Sequence, residues 1–250
     1  MRSKKVQDYP LWVQYLVPWY REFLYLTGLR RRFSLSQRVV NQKLYLGVEY
    51  VYGAEVEGEI AEFGTMTGAT AQAMAAAMAT FGRYAKTSKK LLLFDSFAGL
   101  PTVDSPIDST SAHVLSGAWE AGTCHGVTPK ELKNMCARYI PSSHIRIYAG
   151  WFKDTLHKLP PATKLALLHI DSDLYQSAYE VLDYVFTYRL VAEGAALFFD
   201  DWNCNRASPD RGERKAWAQI VEKFGIEYSD GGEYGWSARK FIVHTYKAVE

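Results

Sequence analysis

The chain has 250 residues, of which 48% are hydrophobic, a composition that predicts one globular α/β domain with a large core. Its formal net charge of +2 disfavours nucleic acid as the main partner, because duplex binding needs a concentrated basic surface. Three widely spaced cysteines and the lack of a span of about 20 apolar residues predict a cytoplasmic protein with reduced thiols and no transmembrane segment.

Residues 1–45 are predicted to form a helical extension. Residues 11–33 are rich in aromatic side chains and include the basic run Arg30-Arg31-Arg32. One interpretation is a helix that lies on an anionic membrane surface. The other is a pair of short helices that pack on the domain, cover the substrate pocket or form a homodimer contact. Pro18 interrupts a continuous amphipathic face, which favours packing or dimerisation.

Residues 46–250 are predicted to form the main domain, in which strands and helices alternate from residue 58 onward. This alternation indicates βαβ units and a mostly parallel sheet. The predicted strands cover residues 59–63, 91–94, 145–148, 164–170, 195–199, 226–228 and 240–244. The predicted helices cover residues 70–85, 130–139, 175–188 and 211–224. The last two strands are joined at Gly231-Gly232 by a link too short for a crossover helix, and so are predicted to be antiparallel.

Residues 100–130 form an unusually long connection, which predicts a functional lid over the site. Two histidines, His113 and His125, lie in this segment. Either could reach an acceptor when the lid closes, although a solvated loop histidine is the commoner case.

The first predicted strand leads into Glu62-Phe63-Gly64-Thr65-Met66-Thr67-Gly68, a glycine-containing turn that opens a helix. A dinucleotide fingerprint would have glycine in place of Met66, and no Gly-Lys-Ser/Thr of a P-loop follows. The turn fits a small zwitterionic cofactor, with amino and carboxylate groups near Glu62 and the turn amides and a ribose held by Asp95. S-adenosylmethionine is such a ligand. A plain strand-to-helix connection is the alternative.

Acidic residues end two of the predicted strands, Asp171 and Asp173 after one and Asp200-Asp201 after the other. Because the carboxyl ends of parallel strands share one edge of a sheet, we expect these side chains to meet. Their repulsion would raise their pKa values unless a cation offsets it, and oxygen ligands favour Mg²⁺. For Asp173, capping of the next helix is the favoured role. His169 is expected to be a core histidine with a satisfied partner.

Four segments resemble the macrocin O-methyltransferase family of class I S-adenosylmethionine-dependent methyltransferases. They are Asp95-Ser96-Phe97-Ala98-Gly99-Leu100-Pro101, Gly150-Trp151-Phe152-Lys153-Asp154-Thr155-Leu156, Asp171-Ser172-Asp173-Leu174-Tyr175-Gln176-Ser177 and Asp200-Asp201-Trp202. That family methylates sugar hydroxyls of macrolide and aminocoumarin antibiotics with magnesium. The chain departs from the family pattern at Ser172, usually glycine, and at His169, usually apolar or basic.

The resemblance implies a Rossmann-like methyltransferase fold with Mg²⁺ held by Asp171, Asp200 and Asp201. Asp171, or alternatively Asp173, is expected to assist deprotonation of the acceptor. The residues expected to bind the cofactor are Glu62, Gly64, Thr65, Gly68, Asp95, Ser96, Phe97, Gly150, Trp151 and Asp171.

The favoured function is a Mg²⁺-dependent O-methyltransferase that acts on a hydroxyl of a small molecule, either a sugar or a glycosylated natural product. Two alternatives stay open. One is a metal-independent methyltransferase that acts on another acceptor, such as an amine. The other is a non-catalytic S-adenosylmethionine-binding or membrane-docking protein that uses the aromatic, basic N-terminal segment.

Overall fold

A computed structural model of the chain describes residues 35–248. The predicted helices within residues 11–33, with the membrane or dimer contact proposed for them, lie outside the described residues. No helix within residues 35–248 is long and apolar enough to span a membrane.

Within the described residues, seven strands form one sheet in the order β3-β2-β1-β4-β5-β7-β6. Strands β1 to β5 are parallel, whereas β7 pairs antiparallel with both β5 and β6. This confirms the predicted α/β sheet, mostly parallel with a late antiparallel pair. The strands are β1 Glu59–Phe63, β2 Leu91–Asp95, β3 Ile145–Ala149, β4 Leu165–Ile170, β5 Val191–Phe199, β6 Glu227–Glu233 and β7 Arg239–Thr245.

Eight α-helices accompany the sheet in the described part of the chain. The predicted helices are present, with ends that differ by a few residues. The helices are α1 Leu35–Gly53, α2 Ala69–Phe81, α3 Pro106–Ser109, α4 Ala112–Leu115, α5 Pro129–Cys136, α6 Phe152–Thr155, α7 Tyr175–Thr187 and α8 Gly212–Phe224.

The predicted turn at Gly231-Gly232 is wrong, because both glycines lie inside β6. The pairing of β6 with β7 shifts register between Asp230 and Glu233, which marks a bulge. Gly232 has φ +79°, a conformation that the bulge requires and that glycine adopts without strain. The chain therefore reverses after Glu233.

The core is continuous across the sheet because the inner strands bear almost only apolar side chains. Every residue of β4 is buried. Helix α1 packs closely against β5: a Cβ added to Gly47 would lie 2.5 Å from the Phe198 ring. Helices α7 and α8 meet through aromatic rings, with Phe186 5.8 Å from Phe224 and 6.1 Å from Trp217 between ring centroids.

Candidate active site

A cavity of about 620 Å³ opens where the parallel strands end. Turns that follow β1, β2, β3 and β4 form its floor, and the segment of residues 98–105 forms part of its wall. Of the predicted cofactor residues, those in the cavity wall are Gly64, Thr65, Asp95, Ser96, Gly150, Trp151 and Asp171. Glu62, Gly68 and Phe97 are not among the lining residues.

The turn after β1 approaches the turn after β4 so closely that only glycine fits at its start. Gly64 has φ +97°, and a Cβ added there would lie 1.7 Å from the carbonyl oxygen of Asp171. Gly68 instead faces a helix, since its added Cβ would lie 2.7 Å from the Leu132 side chain. The first glycine therefore shapes the cavity floor, and the second permits helix packing.

Asp95 organises the glycine-containing turn. Its Oδ2 accepts hydrogen bonds from the Thr65 N–H at 2.7 Å, the Thr65 hydroxyl at 2.8 Å and the Met66 N–H at 3.1 Å. Its Oδ1 accepts one from the Phe97 N–H at 2.7 Å. Oδ1 thus accepts one hydrogen bond where Oδ2 accepts three, so Oδ1 retains capacity for another donor.

Glu62 lies below the cavity in a buried polar row across three strands. Its Oε1 is 2.9 Å from His169 Nδ1, and both side chains are fully buried. His169 Nε2 lies 3.9 Å from Asp200 Oδ1, an electrostatic contact too long for a hydrogen bond. Burial alone lowers the pKa of His169, but interaction with Asp200 and Glu62 outweighs this and raises it to about 10. His169 is therefore a core histidine as expected, but only its Nδ1 has a hydrogen-bond partner, and its buried Nε2 has none in the described part of the chain.

The strand-ending acids converge as the sequence predicts. The β4–β5 ladder continues past Phe199, where the Asp200 N–H donates to the Ile170 carbonyl at 3.0 Å. Burial, and then the charge of Asp200, raises the pKa of Asp171 well above its usual range. Burial and the charges of Asp173 and Asp200 do the same for Asp201. The carboxylates are therefore close enough to repel one another.

Asp173 does not cap the next helix, so that expectation is wrong. Helix α7 has no side-chain cap from its own N-terminal residues. Instead Asp108, in residues 100–130, accepts hydrogen bonds from the N–H groups of Tyr175 at 2.8 Å and Gln176 at 3.0 Å. Asp173 has φ +60° and lies in the cavity wall. A strained backbone at a non-glycine residue is typical of functional sites.

Glu213 is a fully buried acid of α8 that the sequence did not single out. Its Oε2 accepts a hydrogen bond from the Asp201 N–H at 2.9 Å. Burial, followed by the charge of Asp201, raises its pKa well above the usual range. Cys204 adds a second contact, because its thiol donates to Asp201 Oδ1 at 3.2 Å. No sequence motif links Glu213 to Asp201. The one available signal was that the predicted helix of residues 211–224 follows the strand that ends at Asp200-Asp201.

Residues 100–130 fold against the site as two short helices with defined anchors. Arg211 donates to the Ile107 carbonyl at 3.2 Å and to the Thr110 hydroxyl at 2.6 Å. His113 bonds Asn205 at 3.2 Å between Nδ1 and Oδ1 and lines no part of the cavity. His125 is likewise absent from the cavity wall.

The carboxylate oxygens of Asp200 and Asp201 are of the kind that a hard cation binds. Within the described residues, however, no three His, Cys, Asp or Glu side chains meet closely enough to hold a metal ion. Buried oxygen atoms without a hydrogen-bond partner are Glu62 Oε2, Asp200 Oδ1, Asp201 Oδ2, Glu213 Oε1 and Tyr234 OH, besides the Ser172 hydroxyl. Among these acids, Asp201 and Glu213 have pKa values that burial raises well above their usual range. Oxygen is the ligand that Mg²⁺ prefers, so the chemistry of the set suits this ion although the described side chains do not form a three-ligand site.

A 3-2-1-4-5-7-6 sheet with a ligand-sized cavity at its strand ends defines the class I methyltransferase fold. Residues 35–223 match the sequence model of the macrocin-O-methyltransferase (TylF) family, and the chain belongs to this family.

Curated relatives of the chain are named as O-methyltransferases of natural products. One is 8-demethyl-8-(2,3-dimethoxy-alpha-L-rhamnosyl)-tetracenomycin-C 4'-O-methyltransferase of Streptomyces olivaceus, 27% identical over 62% of this chain and 57% of that enzyme. Another is demethyldecarbamoylnovobiocin O-methyltransferase of Streptomyces niveus, 29% identical over 62% of this chain and 56% of that enzyme. The matches thus span less than two thirds of either relative.

Two solved structures share the fold. The O-methyltransferase NovP superposes with a TM-score of 0.66 at 24% identity, covering 84% of this chain and 80% of that one. The calicheamicin methyltransferase CalS11 superposes with a TM-score of 0.66 at 20% identity, covering 95% of this chain and 88% of that one.

Proposed function

We propose that the protein is an S-adenosylmethionine-dependent O-methyltransferase that acts on a hydroxyl of a sugar or glycosylated small molecule. The observation that carries the proposal is the cavity at the strand ends, whose wall combines the Gly64 turn, Asp95 and Asp171. Family membership and the rhamnosyl-bearing substrate named for one relative support the same acceptor class.

The cofactor is proposed to bind over the turn after β1. The N–H groups of Thr65 and Met66 donate to Asp95 Oδ2, whereas Asp95 Oδ1 has the remaining capacity to accept a ribose hydroxyl. Trp151, in the same wall, offers an aromatic face to the adenine. When bound, this cofactor supplies the methyl group.

The protein's main contribution is proposed to be positioning, since methyl transfer requires the acceptor oxygen in line with the sulfonium carbon. Asp171 and Asp173 both line the cavity, which supports the proposal that the carboxylate of one of them accepts the proton of the hydroxyl. Asp171, Asp200 and Asp201 are the residues that would hold Mg²⁺. When bound, the ion lowers the pKa of the hydroxyl as a Lewis acid.

Transfer of labelled methyl groups from S-adenosylmethionine to methyl α-L-rhamnoside and p-nitrophenyl α-L-rhamnoside tests the reaction. We expect product with Mg²⁺, loss of product after chelation and in Asp200→Asn, and normal product in the control Asp210→Asn, which changes an exposed acid of the same loop. Full activity after chelation and in Asp200→Asn would select the metal-independent reaction. Failure to bind S-adenosylmethionine would reject the methyltransferase itself.

A further inference from the structure

The outer face of α7 carries a second space that the proposed reaction does not use. It is an open groove of about 490 Å³ between α7 and the residues around α6. The residues that line it, defined here as the tyrosine groove, are Lys153, Leu156, Gln176, Tyr179, Glu180, Asp183, Tyr184, Thr187 and Tyr188. On α7 they recur every three or four positions, so they form one helical stripe.

The tyrosine groove adjoins the cavity. Lys153, Gln176 and Glu180 line both spaces. A molecule whose reacting hydroxyl lies beside Asp171 and which extends past these three side chains would therefore enter the groove. The groove thus offers a place for the remainder of a large acceptor.

Three tyrosine rings give the groove its chemical character. The rings of Tyr184 and Tyr188 lie 4.5 Å apart between centroids, and Tyr188 is 60% exposed. Tyr179 lies one turn nearer the cavity. Tyr179 and Tyr184 are half-buried, and the row of three rings provides apolar faces and hydroxyl groups at low cost in side-chain entropy. Such a surface fits a flat ring or the C–H face of a sugar.

The charges of the side chains that line the groove disfavour an anionic ligand. Its single cation among the described lining residues is Lys153, which interacts with Glu180. Asp183 is paired with Lys223 at 2.6 Å between Oδ1 and Nζ. A diphosphate would need uncommitted cations, best a bidentate arginine, and the lining residues provide none.

We propose that the tyrosine groove is an acceptor subsite that holds an uncharged ring attached to the methylated sugar. This inference rests on the methyltransferase function proposed above. It adds a site that recognises the part of the acceptor remote from the reacting hydroxyl, and it favours a glycoside over a nucleotide diphosphate sugar.

Affinities for three probes test the subsite in the full chain saturated with S-adenosylhomocysteine. The probes are methyl α-L-rhamnoside, p-nitrophenyl α-L-rhamnoside and dTDP-L-rhamnose. We expect the aryl glycoside to bind about tenfold more tightly than the methyl glycoside, an advantage of the size that aromatic contacts provide. Tyr184→Ala and Tyr188→Ala should remove most of that advantage without changing the affinity for the methyl glycoside or for S-adenosylhomocysteine.

Tyr84→Ala is the matched control, because Tyr84 is 83% exposed and lines neither space. It should leave all affinities unchanged. The subsite would be overturned if the two glycosides bound equally or if the aryl glycoside did not bind. It would also be overturned if the variants lost the same affinity for both glycosides, or if dTDP-L-rhamnose bound most tightly. Tyrosine-dependent aryl binding without methyl transfer would instead reject the proposed reaction and leave the subsite standing.

Discussion

The carboxylate of Asp108 caps the helix that begins at Tyr175, although 67 positions separate the two residues in sequence. Asp108 lies in residues 100–130, and α7 supplies one wall of the cavity. The first two N–H groups of the helix therefore depend on a residue of the proposed lid. The N-terminus of α7 is thus held by a side chain of the proposed lid.

Removing the cap should destabilise the protein. We expect Asp108→Ala to lower the free energy of unfolding by about 1 kcal/mol, the usual contribution of an N-cap, and Asp108→Asn to lower it less because the amide oxygen still accepts. Denaturant unfolding measures both. The control Asp104→Ala changes an exposed acid of the same segment and should alter stability by less than about 0.5 kcal/mol. Equal effects at both positions would contradict the capping role.

Asp108 should also contribute a defined pH dependence. Burial raises its pKa despite the hydrogen bonds from Gln176 and Tyr175, so the folded protein binds its proton more tightly than the unfolded chain. Its contribution to stability is therefore present below the unfolded pKa of about 3.9 and falls as pH rises through the higher folded value. The difference in unfolding free energy between Asp108→Asn and wild type should therefore shift in favour of the variant as pH rises through that window. A shift in favour of wild type would show that the folded protein favours the charged form of Asp108.

Gly64→Ala should lower the free energy of unfolding far more than a substitution by alanine at another glycine of positive φ. The new Cβ would lie 1.7 Å from the Asp171 carbonyl oxygen, whereas Gly232, also of positive φ, has nothing within 4 Å of its added Cβ. We expect Gly232→Ala to cost about 1–2 kcal/mol from backbone strain alone. Gly64→Ala should exceed this and abolish cofactor binding. Calorimetric unfolding with and without S-adenosylhomocysteine measures both effects, and similar losses would reject the close approach.

Mg²⁺ should stabilise the protein through the strand-ending acids. Because burial and mutual repulsion raise the pKa values of Asp171 and Asp201, a bound cation relieves an unfavourable interaction. We expect the melting temperature to rise with Mg²⁺ in wild type. Asp171→Asn should increase metal-free stability by on the order of 1 kcal/mol and abolish the Mg²⁺ response. A response that persists in this variant would place the ion elsewhere.

Glu213 should be needed to position Asp201. Glu213→Ala leaves the buried Asp201 N–H without an acceptor, which costs about 1–3 kcal/mol, whereas Glu213→Gln retains an oxygen and should be milder. Chemical denaturation and methyl-transfer rates compare the two. Glu222→Ala, on the exposed face of the same helix, is the control. The prediction fails if Glu213→Ala behaves like that control.

Local patterns were sufficient to predict the frame of the fold. Apolar runs predicted β4 and β5, and their ends placed Asp171 beside Asp200 because parallel strands end at one edge. The turn at Gly64 was predicted because the glycines and the strand and helix on either side of it are neighbours in sequence. The turn assigned to Gly231-Gly232 failed because a glycine pair suits a bulge as well as a reversal.

The sequence by itself determined the order of strands and helices, the strand-ending acids and the glycine-containing turn, because hydrophobic burial and backbone conformation are set by neighbours along the chain. Only the tertiary structure decided which residue caps α7, what Glu62 and His169 contact, and that Glu213 supports Asp201. These contacts join residues far apart in sequence. A buried polar group takes whichever partner the fold brings within hydrogen-bond distance, and no local pattern encodes that partner.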